Sequence, residues 1–314
     1  MATKGYKTEE LRFPSSDGTH TVYARVYLPT DTSAIRGIVQ LAHGMCEHIG
    51  RYEEMGVFFA KNGYVFCGND HLGHGNTAIS PEELGFFMKE DGVDTVVSDL
   101  FKLTRIMHGR FLDKPLFLMG HSMGSFLVRI YAMTYARYLS GLLVLGTGGP
   151  NPLLPVGRAL AKTIAAFCGK KHRSQLLRGL AHAGYLSRCG KNPAPTAWLS
   201  TDENRIAAFG KDEKCGFTFT VGAYLDLFEM LGRANDKTAY TSIPKTLPVC
   251  ILSGDKDPVG AYGKGVKTVA RQYEKAGITD LTLKLYEGMR HELHNEICRD
   301  EFYADLLSWL NERS

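Results

Sequence analysis

The chain has 314 residues, of which 22% are charged, and its formal net charge is +4. This balance does not indicate nucleic acid as a partner, because nucleic-acid-binding proteins usually concentrate basic residues on one face. No apolar run approaches the roughly 20 residues that a bilayer-spanning helix needs. The N-terminal residues MATKGYKTEELRF lack the apolar core and cleavage site of a signal peptide, so none is predicted.

The first part of the chain alternates between strand and helix patterns. Residues 21–28 (TVYARVYL) alternate like a strand with one wet face. Residues 37–42 (GIVQLA) and 64–68 (YVFCG) are short apolar runs bounded by glycines, which is typical of buried parallel strands. Between them, residues 52–62 have helical spacing and end at Gly63, a common helix stop.

The same alternation continues further along the chain. The predicted elements are a helix at 93–108, a strand at 116–119, a helix after Ser122, strands at 142–145, 249–252 and 281–286, a helix at 263–276 and a closing helix at 302–310. Alternating strands and helices predict an α/β fold with a mostly parallel sheet covered by helices on both faces.

The segment from about residue 150 to residue 240 interrupts this alternation. Its pattern is mostly helical, with Gly and Pro in GGPNPLLPVG and KNPAP. We therefore predict a core formed by residues 1–149 and 241–314, with residues 150–240 inserted after the sixth strand. Residues 114–201 contain no Asp or Glu but eleven Lys and Arg. This stretch is either a solvated basic face or a surface that meets an anionic membrane or ligand.

Seven cysteines occur, and no two of them form a CxxC pair. Because the number is odd and the spacing fits no known ligand pattern, we predict neither a disulfide framework nor a zinc ribbon. Free thiols are typical of proteins in a reducing compartment, so we expect a cytoplasmic location. The oligomeric state is left open.

One serine stands between two glycines in MGHSMG, residues 119–124, where a predicted strand gives way to a helix. A serine hydroxyl attacks a carbonyl only when a neighbouring base takes its proton. Gly120 and Gly124 allow strand and helix to approach, so that Ser122 sits on a strained elbow with its hydroxyl exposed. The N–H of Met123 would then donate to the oxyanion. Ser122 is the candidate nucleophile.

The acid and the base should follow Ser122 in that order, each after a later strand. The loop after residues 249–252 contains Asp255 and Asp257, and the loop after residues 281–286 contains His291 and His294. Both loops leave the carboxyl ends of strands, where α/β sheets build their sites. The residues themselves do not decide between the two aspartates or between the two histidines.

Two further loops carry candidate residues. In HGMCEH (43–48) the N–H of Met45 is the candidate second oxyanion donor, although Met45 would also fit a core position. The run DHLGH at 70–74 suggests a metal site. No further His or carboxylate cluster completes a coordination shell, so we predict no metal.

The sequence resembles the α/β-hydrolase superfamily and, more closely, its monoacylglycerol lipase and lysophospholipase group, the serine aminopeptidase S33-type hydrolases. The resemblance rests on HGMCEHIGRY (43–52), NDHLGHGNT (69–77), GHSMGS (120–125), SGDKDPVG (253–260) and YEGMRHELHNE (286–296), and within the insertion on KKHRSQLL, WLSTDE and CGFTFT. It implies an eight-stranded sheet and a helical cap over an acyl pocket. It also implies that Asp257 is the acid, that His291 is the base, and that DHLGH is a structural turn.

The resemblance further implies which residues meet the polar end of the substrate. These are Glu47, Arg51 and a second histidine three residues after the base, His294. Two positions depart from the group's pattern, because Cys46 and Ser125 stand where a small Gly is common. Cys46 would narrow the mouth of the pocket.

These observations predict a carboxylic ester hydrolase that acts on a monoacylglycerol or lysophospholipid and needs no cofactor. An aminopeptidase or amidase is the second interpretation, since Asp202, Glu203, Asp226 and Glu229 in the later insertion offer carboxylates for a free amine. A small-ester carboxylesterase is the third. A non-catalytic binding module would usually lack a triad residue, and none is missing.

Overall fold

The computed structural model describes residues 5–314, and its eight strands form a single sheet. The strands are β1 (Tyr6–Pro14), β2 (Thr21–Pro29), β3 (Gly37–Ala42), β4 (Tyr64–Asn69), β5 (Leu116–His121), β6 (Gly141–Leu145), β7 (Val249–Gly254) and β8 (Leu281–Tyr286). Their order across the sheet is β1-β2-β4-β3-β5-β6-β7-β8. β2 pairs antiparallel with β1 and β4, and the remaining pairs are parallel. The predicted mostly parallel eight-stranded sheet is confirmed.

Helices cover both faces of the sheet. The helices are α1 (Glu53–Lys61), α2 (Gly92–Arg110), α3 (Met123–Tyr135), α4 (Leu154–Cys168), α5 (Gln175–Ala181), α6 (Glu203–Lys211), α7 (Val221–Ala234), α8 (Lys264–Ala276) and α9 (Arg299–Asn311). Every residue of β3, β4, β5, β6 and β7 is buried, as expected for strands covered on both sides.

Two successive residues of β5 show how the two core layers form. Leu118 belongs to the apolar cluster that contains Leu127 of α3, whereas Met119 belongs to the cluster that contains Phe59 of α1 and Leu306 of α9. Successive strand side chains point to opposite faces, so one short apolar run supplies both layers. These layers fix β5, and with it the start of α3, at the centre of the molecule.

Four of the helices, α4 to α7, lie in the insertion between β6 and β7. Helix α7 packs against α2 and α3 of the core and against α4 of the insertion. The insertion after the sixth strand therefore has the helical character that was predicted, and its treatment as a separate cap stays a prediction. None of the helices in residues 5–314 is both long and apolar enough to cross a bilayer.

The first strand, β1, had no counterpart among the elements predicted one by one. Phe13 is the one buried residue among its nine positions, and the rest of YKTEELRFP is exposed or partly exposed. An edge strand of this kind has no apolar alternation to reveal it. The N-terminal segment in which no signal peptide was predicted includes residues 1–4, which lie outside the described residues.

Candidate active site

Ser122 lies on a sharp turn between β5 and α3. Its backbone has φ 54° and ψ −119°, a conformation that costs free energy for a residue with a side chain. Two backbone hydrogen bonds hold the turn: Ser122 N–H donates to the Leu145 carbonyl at 3.0 Å, and Ser125 N–H donates to the Ser122 carbonyl at 2.8 Å. The Ser122 side chain is partly exposed. The predicted strained elbow is therefore present.

The two glycines of the elbow are required by close backbone approach. A Cβ on Gly120 would lie 2.3 Å from the Gly124 carbonyl oxygen, and a Cβ on Gly124 would lie 2.0 Å from the Ala42 carbonyl oxygen. Both distances are far inside van der Waals contact, so any side chain would push α3 away from β3 and β5. Ser125, which replaces a common Gly, fits because its hydroxyl donates to the Ser122 carbonyl at 2.5 Å.

The structure brings Asp257 and His291 together. His291 Nδ1 lies 2.9 Å from Asp257 Oδ2, and both side chains are buried. The carboxylate also accepts from the Val259 N–H at 2.9 Å and from the Ser253 hydroxyl at 3.2 Å. An ionised carboxylate requires the proton on Nδ1, which leaves Nε2 as an acceptor. His291 Nε2 is buried and has no partner among the described residues.

Asp255 and His294, the alternative candidates for the acid and the base, make other contacts. Asp255 accepts from the Gly288 N–H at 2.8 Å and pairs with Lys256 at 3.0 Å, so it fixes the turn between two loops. His294 stacks on Tyr52 with ring centroids 4.4 Å apart. Burial lowers the pKa of His294 to about 3, with a further contribution from His121. Neither residue takes part in the Asp257–His291 pair.

The loop that carries Met45 passes directly beside Ser122. A Cβ on Gly44 would lie 3.2 Å from Ser122 Cβ. Met45 is partly buried against the apolar core, so it occupies the loop and also packs like a core residue. Met123 is the first residue of α3, and its N–H has no acceptor within the helix. The loop of Met45 and the start of α3 at Met123 thus lie beside the elbow, and the role of the two N–H groups as oxyanion donors stays a prediction.

Arg51 stands between two buried carboxylates. It donates to the two oxygens of Glu292 at 2.7 and 2.6 Å and also pairs with Glu47. Burial opposes ionisation of Glu47, but the Arg51 guanidinium together with His121 and His43 outweighs burial and holds the pKa of this carboxyl well below its ordinary value. Glu47 Oε1 accepts from the Gly44 N–H at 2.5 Å and from the Tyr52 hydroxyl at 2.8 Å. Glu47 and Arg51, predicted for the substrate, are thus engaged with the protein.

His121, the residue before the candidate nucleophile, joins this network to the His291 loop. Its Nε2 lies 3.1 Å from the His291 carbonyl oxygen, and its Nδ1 lies 2.9 Å from the Tyr52 hydroxyl. Because the Tyr52 hydroxyl donates to Glu47, both ring nitrogens of His121 must donate, which makes the ring an imidazolium. Burial lowers the pKa of His121, but Glu47, Glu292 and the His291 carbonyl together raise it more, so that the net shift is upward.

The DHLGH run is a structural turn in the described residues. Asp70 accepts from the Ile49 N–H at 2.8 Å and from the Asn76 N–H at 2.7 Å. Burial is the main reason that the pKa of His71 falls to about 3 and that of His74 to about 4, so both rings are neutral. The predicted absence of a metal stays a prediction.

Another group has the residue types of a metal site. One ring nitrogen of His48, one carboxylate oxygen of Asp212 and the Cys215 sulfur lie within 4.8 Å of one another. His48 Nδ1 accepts from the Gly50 N–H at 3.2 Å, so Nε2 carries the proton and donates to Asp212 at 2.9 Å. The nitrogen that faces the group is therefore a donor to Asp212 and not a free ligand.

Trp198 was not identified from the sequence, yet it lies against the candidate base. The ring centroids of Trp198 and His291 are 5.0 Å apart. Glu292, which pairs with Arg51, was also missed. The sequence offers no local signal for either residue, because their partners lie far away along the chain.

Comparison with known proteins gives a consistent result. The model of the serine aminopeptidase S33 family matches residues 33–297. Monoacylglycerol lipase of Mycolicibacterium smegmatis is 29% identical over 309 residues, which cover 96% of each chain. Mouse monoglyceride lipase is 25% identical over 303 residues, which cover 95% of this chain and 89% of that protein.

Among solved structures, a highly thermostable carboxyl esterase from Bacillus coagulans in complex with glycerol matches with a TM-score of 0.91 and 31% identity, covering 98% of each chain. These matches cover the core and the insertion alike. The chain is a hydrolase and belongs to the serine aminopeptidase S33 family of the α/β-hydrolase fold.

Proposed function

We propose that this protein hydrolyses carboxylic esters of single-chain acyl lipids, monoacylglycerols or lysophospholipids, through an acyl-enzyme on Ser122. The observation that carries the proposal is the buried Asp257–His291 pair, at 2.9 Å, on the same sheet edge as the Ser122 elbow. The turn after β6 connects the two: Leu145 accepts from the Ser122 N–H, and a Cβ on Gly146 would lie 3.2 Å from the His291 ring.

In the proposed mechanism His291 Nε2 takes the proton of Ser122 as its oxygen attacks the ester carbonyl. Asp257 keeps the imidazole in the required tautomer and stabilises the imidazolium. The N–H groups of Met45 and Met123 donate to the oxyanion. The imidazolium returns its proton to the leaving alcohol, and a water molecule activated by the same His291 then hydrolyses the acyl-enzyme. No cofactor enters this cycle.

An apolar cluster next to the elbow supports the proposal that the substrate carries a long acyl chain. Met45 and Met123 belong to the cluster that continues into Leu160 and Ile164 of α4 and Phe228 of α7. An acyl chain that follows these side chains would gain about 0.8 kcal/mol for each buried methylene. Four additional carbons would therefore favour binding by roughly 3 kcal/mol. The relatives named as monoacylglycerol lipases support the same substrate class.

For the polar end of the substrate we propose Glu47, Arg51 and His294, with different tasks. Both ring nitrogens of His294 are buried without a protein partner in the described chain. A buried polar group without a partner is costly, so a substrate hydroxyl at this ring would remove that cost. Arg51 already forms ion pairs with Glu47 and with Glu292. We propose that Glu47 and Arg51 hold the loops around His294 in place.

The aminopeptidase alternative needs a carboxylate for the substrate's free amine. Asp226 and Glu229 line a cavity of about 280 Å³ together with Arg158, Lys162 and Lys170. Burial, and secondly Glu229, raise the pKa of Asp226 to about 7, which makes it a weak partner for an ammonium group. We therefore place the ester hydrolase first and the amidase and the small-ester carboxylesterase after it.

One substrate panel tests the proposal. Acetyl to dodecanoyl p-nitrophenyl esters, monoacylglycerols, a lysophospholipid and alanyl or prolyl amides are compared at one pH, with Ser122→Ala as the blank. We expect kcat/KM to rise from acetyl to medium-chain esters and the amides to be poor substrates. A preference for acetyl esters would indicate a small-ester carboxylesterase. Faster turnover of an amide than of any ester would indicate the aminopeptidase.

We further propose peripheral contact with an anionic membrane and a cytoplasmic location. Large apolar side chains are exposed in and beside α4 and α5: Leu153, Val156, Phe167, Leu176 and Leu180. They lie within the carboxylate-free stretch 114–201, so apolar and basic groups share this part of the insertion. Such a combination favours binding to a negatively charged lipid surface. The seven cysteines are free thiols, which fits a reducing compartment.

A further inference from the structure

The residues on either side of His291 hold the residues on either side of Trp198. Arg290 Nη1 donates to the Ala197 carbonyl at 2.6 Å, and the Glu292 N–H donates to the Leu199 carbonyl at 2.7 Å. Arg290 and Ala197 are 93 positions apart along the chain. The insertion is thus fastened to the His291 loop on both sides of one aromatic residue.

Further contacts extend this connection. The Arg290 guanidinium also donates to the Ser200 carbonyl at 3.0 Å, and the Ser200 hydroxyl donates to the Asn295 carbonyl at 2.8 Å. Ala197, Leu199 and Ser200 are buried. A segment that is held by several buried or partly buried hydrogen bonds has little freedom to move relative to His291.

The indole of Trp198 lies against the imidazole of His291, and the two rings are tilted relative to each other. Their ring centroids are 5.0 Å apart and their planes form an angle of 40°. A cation within about 6 Å of an aromatic centroid is attracted by the ring, and tryptophan is the best of the aromatic side chains for this contact. Tyr185 packs edge-on against the indole at 4.8 Å, and His182 lies 5.9 Å from it. These two rings hold the indole in place.

Several charged or titratable groups lie around His291 besides Trp198. Asp257 binds Nδ1, and His121 approaches from the elbow, with the His121 and His291 ring centroids 4.7 Å apart. Glu292 and His294 belong to the same loop as His291. From the insertion come Trp198, Tyr185 and His182; burial and, secondly, Asp257 raise the pKa of Tyr185, and burial lowers the pKa of His182.

The charged groups next to the His291 ring therefore act in opposite directions when the ring is protonated. His121 repels a second imidazolium, and Asp257 offsets that repulsion at Nδ1 only. We propose that Trp198 is a positioning residue for His291: its indole face stabilises the imidazolium that forms in each chemical step and keeps the ring oriented toward Ser122. This inference rests on the proposed function, in which His291 becomes an imidazolium each time it takes a proton.

The test compares Trp198→Leu and Trp198→Phe with the wild type in kcat, KM and the pH dependence of kcat/KM. Loss of the indole face makes the imidazolium less stable, so the acid limb moves to lower pH by about 0.5–1 unit. We expect kcat to fall roughly 5–20-fold with a smaller change in KM, and Trp198→Phe to lie between the two.

Two results would overturn the proposal. If Trp198 only excludes water, its removal hydrates the imidazolium, and the acid limb moves to higher pH. If Trp198 only lines the acyl pocket, KM rises while kcat and the acid limb stay unchanged.

A second readout needs no activity. The chain has two tryptophans, and the other one, Trp309 of α9, packs against Phe117 of β5. In a Trp309→Phe background the fluorescence of Trp198 should fall on acidification, because a protonated imidazole quenches a nearby indole. The midpoint should follow the acid limb of kcat/KM, disappear in His291→Ala and persist in the control His182→Ala.

A transition that persists in His291→Ala and disappears in His182→Ala would refute the contact. If Ser122→Ala keeps its activity, the proposed function fails, and the fluorescence titration still decides whether Trp198 senses His291.

Discussion

Arg51 makes a two-point ion pair with Glu292, the residue directly after His291, through hydrogen bonds of 2.7 and 2.6 Å. The two side chains are 9% and 4% exposed, although 241 positions separate them in the chain. Together with Glu47, which accepts from the Gly44 N–H, this pair ties the loop of Gly44 and Met45 to the loop of His291. A buried charge network thus reaches the His291 loop through Glu292 and through the His291 carbonyl, which faces His121 Nε2.

Removing Arg51 should destabilise the fold strongly. Arg51→Ala leaves Glu47 and Glu292 buried without their cation, and breaking a buried ion pair in this way costs about 3–5 kcal/mol. The matched control is Arg205→Ala, because Arg205 also contacts both oxygens of one glutamate, Glu54, but the side chains are 28% and 53% exposed. The control should cost less than about 1 kcal/mol. Equal losses in urea unfolding would show that the network contributes no more than a surface pair.

Asp257 and Asp255 should differ sharply. Asp257→Asn keeps the shape of the site but removes the carboxylate that selects the tautomer of His291, so kcat should fall about 10⁴-fold. Asp255→Asn keeps a side-chain oxygen that can accept from the Gly288 N–H and should change kcat less than about fivefold. Steady-state kinetics with one medium-chain ester measures both. A deeper loss in Asp255→Asn would reverse the assignment of the acid.

The elbow should not tolerate a methyl group. Gly124→Ala places a Cβ about 2.0 Å from the Ala42 carbonyl oxygen, so we expect little soluble folded protein. Gly109→Ala is the control, because Gly109 lies in α2 and a Cβ there meets nothing within 4 Å. That control should gain about 0.5–1 kcal/mol of stability from better helix propensity. Soluble yield and thermal unfolding compare the two, and a normally folded Gly124→Ala would refute the close packing of the elbow.

The exposed apolar residues of the insertion should bind anionic vesicles. Phe167 is 86% exposed at the end of α4, and burying it in lipid would contribute about 1.5–3 kcal/mol. Phe167→Ser should therefore weaken sedimentation with phosphatidylglycerol-containing vesicles roughly 10-fold or more. Ile297→Ser, at a 67% exposed position before α9, serves as the control and should have no effect. Binding that is the same in neutral vesicles and at high salt would exclude the electrostatic contribution.

Much of the core could be predicted because its strands are continuous apolar runs. The runs at 37–42, 116–119 and 249–252 are buried on both faces, and their glycine boundaries mark the turns. Strand β1 escaped prediction because Phe13 is its one buried residue. Hydrophobic periodicity reveals burial, and an exposed edge strand has too little of it.

The site could be predicted only where a motif is local. The elbow with Ser122 and the loops of Asp257 and His291 each stand in one short stretch of sequence. Glu292 and Trp198 could not be found in this way, since their partners Arg51 and His291 lie far away along the chain. Glu47 and Arg51 were predicted to contact the substrate only. The ion pair between Arg51 and Glu292 could not be predicted, because 241 positions separate the two residues in the sequence.

The role of Ser122 as the nucleophile is tested most directly by replacing it with alanine. The wild type and Ser122→Ala are treated with a fluorophosphonate probe, and the ester kinetics of both are measured alongside their thermal unfolding. We expect labelling of the wild type alone, a fall in kcat of roughly 10⁴–10⁶-fold in the variant, and the same fold in both. Equal labelling of the two proteins, or unchanged ester turnover in Ser122→Ala, would contradict a serine nucleophile on this elbow.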